Sequence, residues 1–124
     1  VIETGNIIYA NLNVQNTDLK LYKFEYENKI IEYINKPRKY KPDFYLVDQD
    51  IYIETKGYFE QKDRAKHLLI KEQHPILDIR FIFMDSNLKI NKSSTTTYAK
   101  WCKKHDFLFA DKLLPKHWLK EKKI

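Results

Sequence analysis

The sequence predicts an α/β domain in which one mixed β-sheet is flanked by helices. The elements along the chain are mainly strands, then a helix, a strand and a second helix, an order typical of layered α/β arrangements. The composition agrees, because 43% of the 124 residues are hydrophobic and 15% are aromatic, which suffices for one packed core. We therefore predict a single domain over residues 1–124.

The N-terminal third is the least readable part of the chain. Residues 1–20 mix a few apolar positions with asparagines and a glycine, so this N-terminal segment stays uncertain. Leu21–Tyr26 and Ile30–Ile34 are rich in aromatic and β-branched side chains and predict strands. The basic run Lys36–Lys39 contains a proline and predicts a connector between strands.

The middle of the chain predicts a β-hairpin followed by a helix. Pro42–Val47 and Ile51–Lys56 have strand character and are separated by a short turn region. Gly57 ends the second strand, and helical periodicity extends over Glu60–Gln73. The apolar residues expected on the inner side of this helix are Ala65, Leu68 and Leu69.

The C-terminal part predicts two further strands and two further helices. Ile79–Met84 is almost continuously apolar, as expected for a strand covered on both faces. A helix is predicted from an N-cap within Ser93–Thr95 to His105. Phe107–Ala110 predicts a short strand, and Pro115 suits the first turn of a last helix. The side chains expected to face the core are Tyr98, Trp101, Cys102 and Trp118.

Charge and composition narrow the function classes. The formal charge of +6 favours a polyanion such as nucleic acid, although abundant lysine can also serve solubility alone. Two glycines are too few for phosphate-binding glycine loops, and one cysteine excludes an intrachain disulfide or a Cys-based zinc site. A reducing, cytoplasmic setting is expected. No apolar run approaches a membrane span, so we expect no membrane partner.

One motif in the predicted hairpin carries chemistry. Asp43 follows a proline, and ten residues later comes Glu54-Thr55-Lys56. Strand side chains alternate between faces, so Glu54 and Lys56 share one side, and a hairpin with an even-numbered loop adds Asp43 to that side. Two carboxylates and one ammonium group would then converge. This is the PD-(D/E)xK nuclease signature, and it predicts a restriction-endonuclease-like core.

The convergence suits metal-assisted phosphodiester hydrolysis. Carboxylates bind Mg²⁺, which we expect as the cofactor with Mn²⁺ as a substitute, and the metal supports attack of water on phosphate. Lys56 is expected to orient that water or to neutralise the phosphate. The motif alone is weak evidence, because a Lys-Glu pair on a strand is usually a solvated face. The hairpin, its aromatic flanks and the basic helix after it strengthen the prediction.

Two groups of basic residues are candidate DNA contacts. One group follows the motif on the predicted helix, and the other lies on the predicted connector. Each group could grip the phosphate backbone, or could be an ordinary solvated surface. The candidates are Lys62, Arg64, Lys66 and His67 on the helix, and Arg38, Lys39 and Lys41 on the connector.

Several stretches together resemble one known family, the bacteriophage endonuclease I group of Holliday-junction resolvases. The resemblance runs from about Tyr22 to Glu121, most of the chain, and is specific to this family. The shared stretches are Lys23–Glu27, Pro42–Phe44, Glu54–Gly57, Asp63–Pro75, Leu77–Arg80, Cys102–His105 and Phe109–Leu113, followed by Pro115 and Trp118.

The resemblance implies a domain-swapped homodimer that binds branched double-stranded DNA and cuts opposed strands of a four-way junction in the host cytoplasm. It implies metal ligation by Asp43, Glu54 and the backbone carbonyl of Thr55, with Lys56 as a catalytic residue. It also implies that residues 27–42 form the swap connector. The expected activity is that of a Mg²⁺-dependent endodeoxyribonuclease with 5′-phosphate products.

The N-terminus departs from the family pattern. The family carries a further catalytic glutamate in a Ser-Gly-Leu-Glu-like motif, and the matching position here falls near Gly5 or Ala10. Neither residue has a metal-binding side chain, and Glu3 is the nearby carboxylate that could serve if the helix begins earlier. Three alternatives therefore stay open: a less structure-selective nuclease, a catalytically weak junction-binding protein, and a basic protein-interaction module.

Overall fold

The computed structural model describes residues 23–34 and 37–122, and over these residues the fold is built on a five-stranded mixed sheet. In chain order the strands are β1 (Phe24–Tyr26), β2 (Ile31–Ile34), β3 (Pro37–Tyr40), β4 (Phe44–Leu46), β5 (Ile51–Lys56), β6 (Ile79–Phe83) and β7 (Phe109–Asp111). The helices are α1 (Gln61–Gln73), α2 (Tyr98–Lys104) and α3 (Lys116–Leu119).

The sheet runs in the order β1-β4-β5-β6-β7, and β2 pairs with β3 in a separate hairpin. The β1, β4 and β5 strands pair antiparallel, whereas β5, β6 and β7 pair parallel. Parallel neighbours need a crossover connection, and α1 provides it between β5 and β6. The expected α/β class, a mixed sheet flanked by helices, is confirmed.

Side-chain alternation divides the core between the two faces of the sheet. On β6, which is buried along its whole length, Phe81 and Phe83 belong to one apolar cluster and Ile82 to the other. On β5, Ile51 and Ile53 face the same cluster as Ile82, which α3 covers. The opposite face therefore receives the even-numbered β5 side chains, beneath the β2–β3 hairpin, α1 and α2.

Helix α1 is rotated from the orientation that its apolar residues predict. A capping box joins Glu60 to Asp63 at its start, where the backbone N–H groups lack partners in the helix. Its buried residues are Arg64, His67 and Ile70, whereas Ala65 is exposed and Leu68 and Leu69 are half-buried. The predicted inner face was therefore wrong, because polar side chains with tertiary contacts occupy the most buried positions.

The basic run around Pro37 is a strand, so the prediction of a plain connector there was wrong. Pro37 begins β3, a position where its missing N–H does not interrupt a ladder, and Ile31 pairs with Tyr40 in the antiparallel hairpin. The hairpin packs on α1 and supplies Ile31, Tyr33 and Tyr40 to the core. The assignment of residues 27–42 as a swap connector stays a prediction.

The C-terminal part confirms the buried aromatic positions but shifts the helix start. Thr97 caps α2 by accepting a hydrogen bond from the Lys100 N–H at 3.1 Å, so Ser93–Thr95 lie outside the helix. Trp101 and Trp118 are buried as expected. Over the described ranges, none of the helices combines the length and the apolar character that crossing a membrane requires.

An ion cluster fastens the C-terminus to the sheet. Arg80 on β6 is 3% exposed and donates hydrogen bonds of 2.7–2.9 Å to the carboxylates of Asp78 and Glu121. Its guanidinium also lies over the Trp118 ring, 5.0 Å from the ring centroid. Both ends of the carboxylate–guanidinium network are therefore satisfied around α3.

Candidate metal and catalytic site

The β4–β5 hairpin brings Asp43 beside Glu54. Phe44 pairs with Ile53 in the antiparallel ladder, so the next position along puts Asp43 opposite Glu54. The turn Val47–Asp50 has an even number of residues, as the shared side requires. The structure thus brings the two carboxylates together, on the face that carries α1 and the β2–β3 hairpin.

The carboxylate of Asp43 is anchored through one of its oxygens. Its Oδ2 accepts hydrogen bonds from both the backbone N–H and the Oγ1 hydroxyl of Thr55, each at 2.9 Å. Two bonds to the same oxygen fix the carboxylate against β5 and leave Oδ1 as the oxygen that a ligand can approach. Thr55 therefore positions Asp43, while its predicted role as a carbonyl ligand stays a prediction.

Glu54 is a buried carboxylate with little compensating charge. The residue is 4% exposed, and its Oε1 accepts a hydrogen bond of 2.7 Å from the Tyr40 hydroxyl. Its Oε2 lies 3.9 Å from Nζ of Lys56. Burial and then the nearby charge of Asp43 raise the pKa of Glu54 to about 7, against the lowering effects of Tyr40, Lys56 and Lys66.

Lys56 is held between the sheet and the start of α1. Its Nζ lies 3.5 Å from Oδ1 of Asp63, while Oδ2 of Asp63 accepts the Glu60 N–H at 3.2 Å. The lysine side chain is only 17% exposed, so its ammonium group is held close to the carboxylate pair. Sequence and structure agree that Asp43, Glu54 and Lys56 share one face.

The residues present fit a divalent cation with oxygen ligands. Asp43 and Glu54 each keep one oxygen that their anchoring hydrogen bonds do not use, and their like charges destabilise each other. Over the described residues no group of three or more His, Cys, Asp or Glu gathers around one point. Two carboxylates suffice for Mg²⁺, which usually keeps several waters and binds substrate phosphate. Glu3 lies outside the described residues.

Three of the predicted DNA contacts line one basic groove beside the site. The groove, of about 250 Å³, lies between the β2–β3 hairpin and α1. Arg38, Lys62 and Lys66 line it, with Tyr33, Ala65 and Leu69 supplying apolar surface. Lys66 also lies over the Tyr40 ring, with Nζ 5.4 Å from the centroid, which connects the groove to the Glu54 pocket. Lys39 and Lys41 are exposed outside this lining.

Arg64 and His67 do not fit the predicted DNA surface. Arg64 is 9% exposed and turns inward to donate hydrogen bonds to the carbonyls of Phe59 at 2.6 Å and Ile90 at 3.4 Å. His67 is fully buried, and its ring packs edge-on against Tyr40 and Phe81. Their assignment as DNA contacts is corrected, because neither side chain reaches solvent.

The sequence analysis missed two residues of the site. Tyr40 lay in a segment assigned as a connector, and its contact with Glu54 is a tertiary one that no local pattern encodes. Asp63 gave a weaker signal, because an acidic residue three positions after Glu60 suits a capping box. Its second contact, with Lys56, follows only from the closeness of α1 to the end of β5.

These features define an α/β protein with two carboxylates and a lysine on one face of a mixed sheet. The sequence model of the family described as phage endonuclease I matches residues 10–124. The chain belongs to the phage endonuclease I family, as its shared stretches predicted.

Two relatives show how close the similarity is. The chain is 50% identical over 103 residues to "Endonuclease I" of Escherichia phage T7, covering 82% of this chain and 68% of the relative. It is 52% identical over 103 residues to "Endodeoxyribonuclease 1" of Enterobacteria phage T3, covering 82% and 67%.

Proposed function

We propose that this protein is a metal-dependent DNA endonuclease that cuts branched DNA, with four-way junctions as its preferred substrate. The observation that carries the proposal is the convergence of Asp43, Glu54 and Lys56 on one sheet face. The names of the two relatives, an endonuclease and an endodeoxyribonuclease, support the same reaction class. The junction preference rests on the family resemblance.

The cofactor is Mg²⁺, with Mn²⁺ as a substitute, and its ligands are Oδ1 of Asp43, Oε2 of Glu54 and the carbonyl of Thr55. A bound metal would lower the pKa of a coordinated water and offset the charge that develops on the phosphate. The raised pKa of Glu54, about 7 without metal, is consistent with this assignment. A buried carboxylate beside a second one is poorly compensated until a cation binds.

The remaining residues act on the substrate. The ammonium group of Lys56, held by Asp63, neutralises the scissile phosphate or orients the attacking water. Arg38, Lys62 and Lys66 bind the phosphate backbone beside the site, with the apolar surface of their groove against the sugars. Phosphate contacts of this kind give shape recognition without reading bases.

The quaternary structure belongs to the same proposal. We propose a restriction-endonuclease-like core and a domain-swapped homodimer, because the family resemblance covers the connector and the site alike. Two sites in one dimer would allow two opposed strands of a junction to be cut.

The test is cleavage of a labelled four-way junction and of the matching linear duplex, with Mg²⁺ or with EDTA. We expect paired cuts near the branch only with metal, and a loss of at least about 100-fold in Lys56→Ala, since a positioned charge of this type contributes several kcal/mol. The matched control is Lys104→Ala, an exposed lysine on α2 that should cleave normally. Wild-type activity in Lys56→Ala would refute the proposal.

Two other outcomes correspond to the alternatives left open by the sequence. Equal cleavage of duplex and junction would indicate a less selective nuclease. Tight junction binding without any cutting in Mg²⁺ or Mn²⁺ would indicate a binding protein and would make the N-terminal carboxylate the point of interest. Failure to bind DNA at moderate salt would indicate a protein-interaction module.

A further inference from the structure

We infer that Tyr40 is a positioning residue that holds Oε1 of Glu54 and so presents Oε2 as the single oxygen available to the metal. The inference rests on the proposed function, because it assigns a role to Tyr40 within the same site. Nothing in the local sequence marks Tyr40, and its role follows from where the β2–β3 hairpin places its hydroxyl.

The contact between the two residues is short and shielded from water. The Tyr40 hydroxyl donates to Oε1 of Glu54 at 2.7 Å, and the residues are 2% and 4% exposed. A hydrogen bond to an ionised acceptor is stronger than one between neutral groups, and exclusion of water strengthens it further. Within this pocket the bond therefore controls how the Glu54 carboxylate is turned.

The ring of Tyr40 cannot easily swing away from this position. Its edge-on contact with the His67 ring has centroids 5.1 Å apart, and the Lys66 ammonium lies over its face. The backbone of Tyr40 is paired with Ile31 in the β2–β3 hairpin. Contacts on several sides thus aim the hydroxyl at Glu54, as a preorganised site requires.

The two carboxylates of the site are anchored in the same way but from different elements. Thr55 holds Oδ2 of Asp43, and Tyr40 holds Oε1 of Glu54, so each carboxylate is left with one free oxygen. Such one-oxygen ligation suits Mg²⁺ or Mn²⁺ with water completing the shell, whereas Ca²⁺ often takes bidentate carboxylates. Without the Tyr40 hydroxyl, Glu54 would be free to turn, and metal affinity would fall.

The experiment measures Mn²⁺ binding to the DNA-free protein by titration calorimetry. The key variant is Tyr40→Phe, which keeps the ring and its packing but removes the hydroxyl. The matched control is Tyr33→Phe, which removes a hydroxyl from a buried tyrosine of the same hairpin. We expect Tyr40→Phe to weaken Mn²⁺ binding by about 10- to 100-fold, the usual effect of removing a group that orients a metal ligand. Tyr33→Phe should bind as the wild type does.

A second readout separates positioning from general damage. The cleavage rate of Tyr40→Phe should approach the wild-type maximum as Mn²⁺ is raised by the same 10- to 100-fold, because the defect lies in metal binding. Lys56→Ala should stay slow at every metal concentration. Thermal unfolding of the metal-free protein should be similar for the two tyrosine variants.

The outcomes distinguish this inference from the function on which it rests. If the wild type binds Mn²⁺ and Glu54→Gln does not, the site is real, and unchanged binding in Tyr40→Phe would then overturn the role of Tyr40 alone. Equal weakening in Tyr33→Phe would also overturn it, because the effect would belong to hairpin packing. If the wild type does not bind Mn²⁺, the metal-dependent function and the role of Tyr40 both fail.

Discussion

Two ionic side chains are buried on adjacent strands, and their surroundings differ sharply. Arg80 on β6 is 3% exposed and Glu54 on β5 is 4% exposed. Arg80 makes hydrogen bonds of 2.7–2.9 Å to two carboxylates of opposite charge. Glu54 has one hydrogen bond from a neutral hydroxyl, and the Nζ of Lys56 lies 3.9 Å away.

The pKa shifts express the same difference. Burial alone would lower the pKa of Arg80, but its bonds to Glu121 and Asp78 outweigh burial and raise it, so the charged form is favoured. For Glu54 burial and Asp43 raise the pKa to about 7, so the charged form is disfavoured. A closed ion network stabilises the fold, whereas an open one is where a ligand gains most by binding.

The largest expected effect comes from opening the closed network. Arg80→Met should lower the free energy of unfolding by about 3 kcal/mol, because it removes the shared partner of two carboxylates and a contact with Trp118. Urea unfolding measures the loss, and cleavage per folded molecule should not change. A loss below about 1 kcal/mol, as expected of the exposed control Lys104→Met, would show that the network contributes little.

The Glu54→Gln variant should act in the opposite direction on stability. Because the folded pKa of about 7 lies above the usual 4.5, ionisation of Glu54 costs stability as pH rises between these values. The metal-free variant should therefore be more stable than the wild type at pH 8, by about 1–3 kcal/mol, and equal to it near pH 4. Added Mg²⁺ should stabilise the wild type only. Equal stability at pH 8 would show that Glu54 carries no such strain.

A smaller effect is expected where Asp63 joins Lys56 to α1. Asp63→Asn keeps an oxygen for the Glu60 N–H but removes the charge facing Lys56. We expect a stability loss of about 1 kcal/mol and a several-fold slower cleavage, since Lys56 is less well held. Glu72→Gln, an exposed acidic residue near the other end of α1, is the control. Unchanged cleavage in Asp63→Asn would remove Asp63 from the site.

The smallest effect is expected at His67, whose two ring nitrogens have no hydrogen-bond partner within the described part of the chain. Burial, then the charges of Lys66 and Lys56, lower its pKa well below 6.5, so the folded protein loses stability as pH falls below 6.5. His67→Leu should change stability at pH 8 by under about 1 kcal/mol and reduce that acid loss. A loss of several kcal/mol at pH 8 would show that the imidazole is needed.

Strong local patterns gave the parts of this fold and site that sequence could predict. The apolar run of β6, the helical period of α1 and the spacing of Asp43 from Glu54 each follow from alternation or periodicity. The failures share one cause, which is that tertiary contacts override the local pattern. Arg64 looked like a surface residue but satisfies two backbone carbonyls, and the segment around Pro37 gains a partner strand that its composition does not indicate.

The sharing of Asp63 between the cap of α1 and Lys56 has a thermal consequence. Helix ends fray more readily than the body of a domain, so the first turn of α1 should open at temperatures where the sheet is still intact. Each opening removes the carboxylate that faces Lys56. Activity should therefore fade on warming before the domain melts, and amide hydrogen exchange in that turn should follow the same temperature dependence.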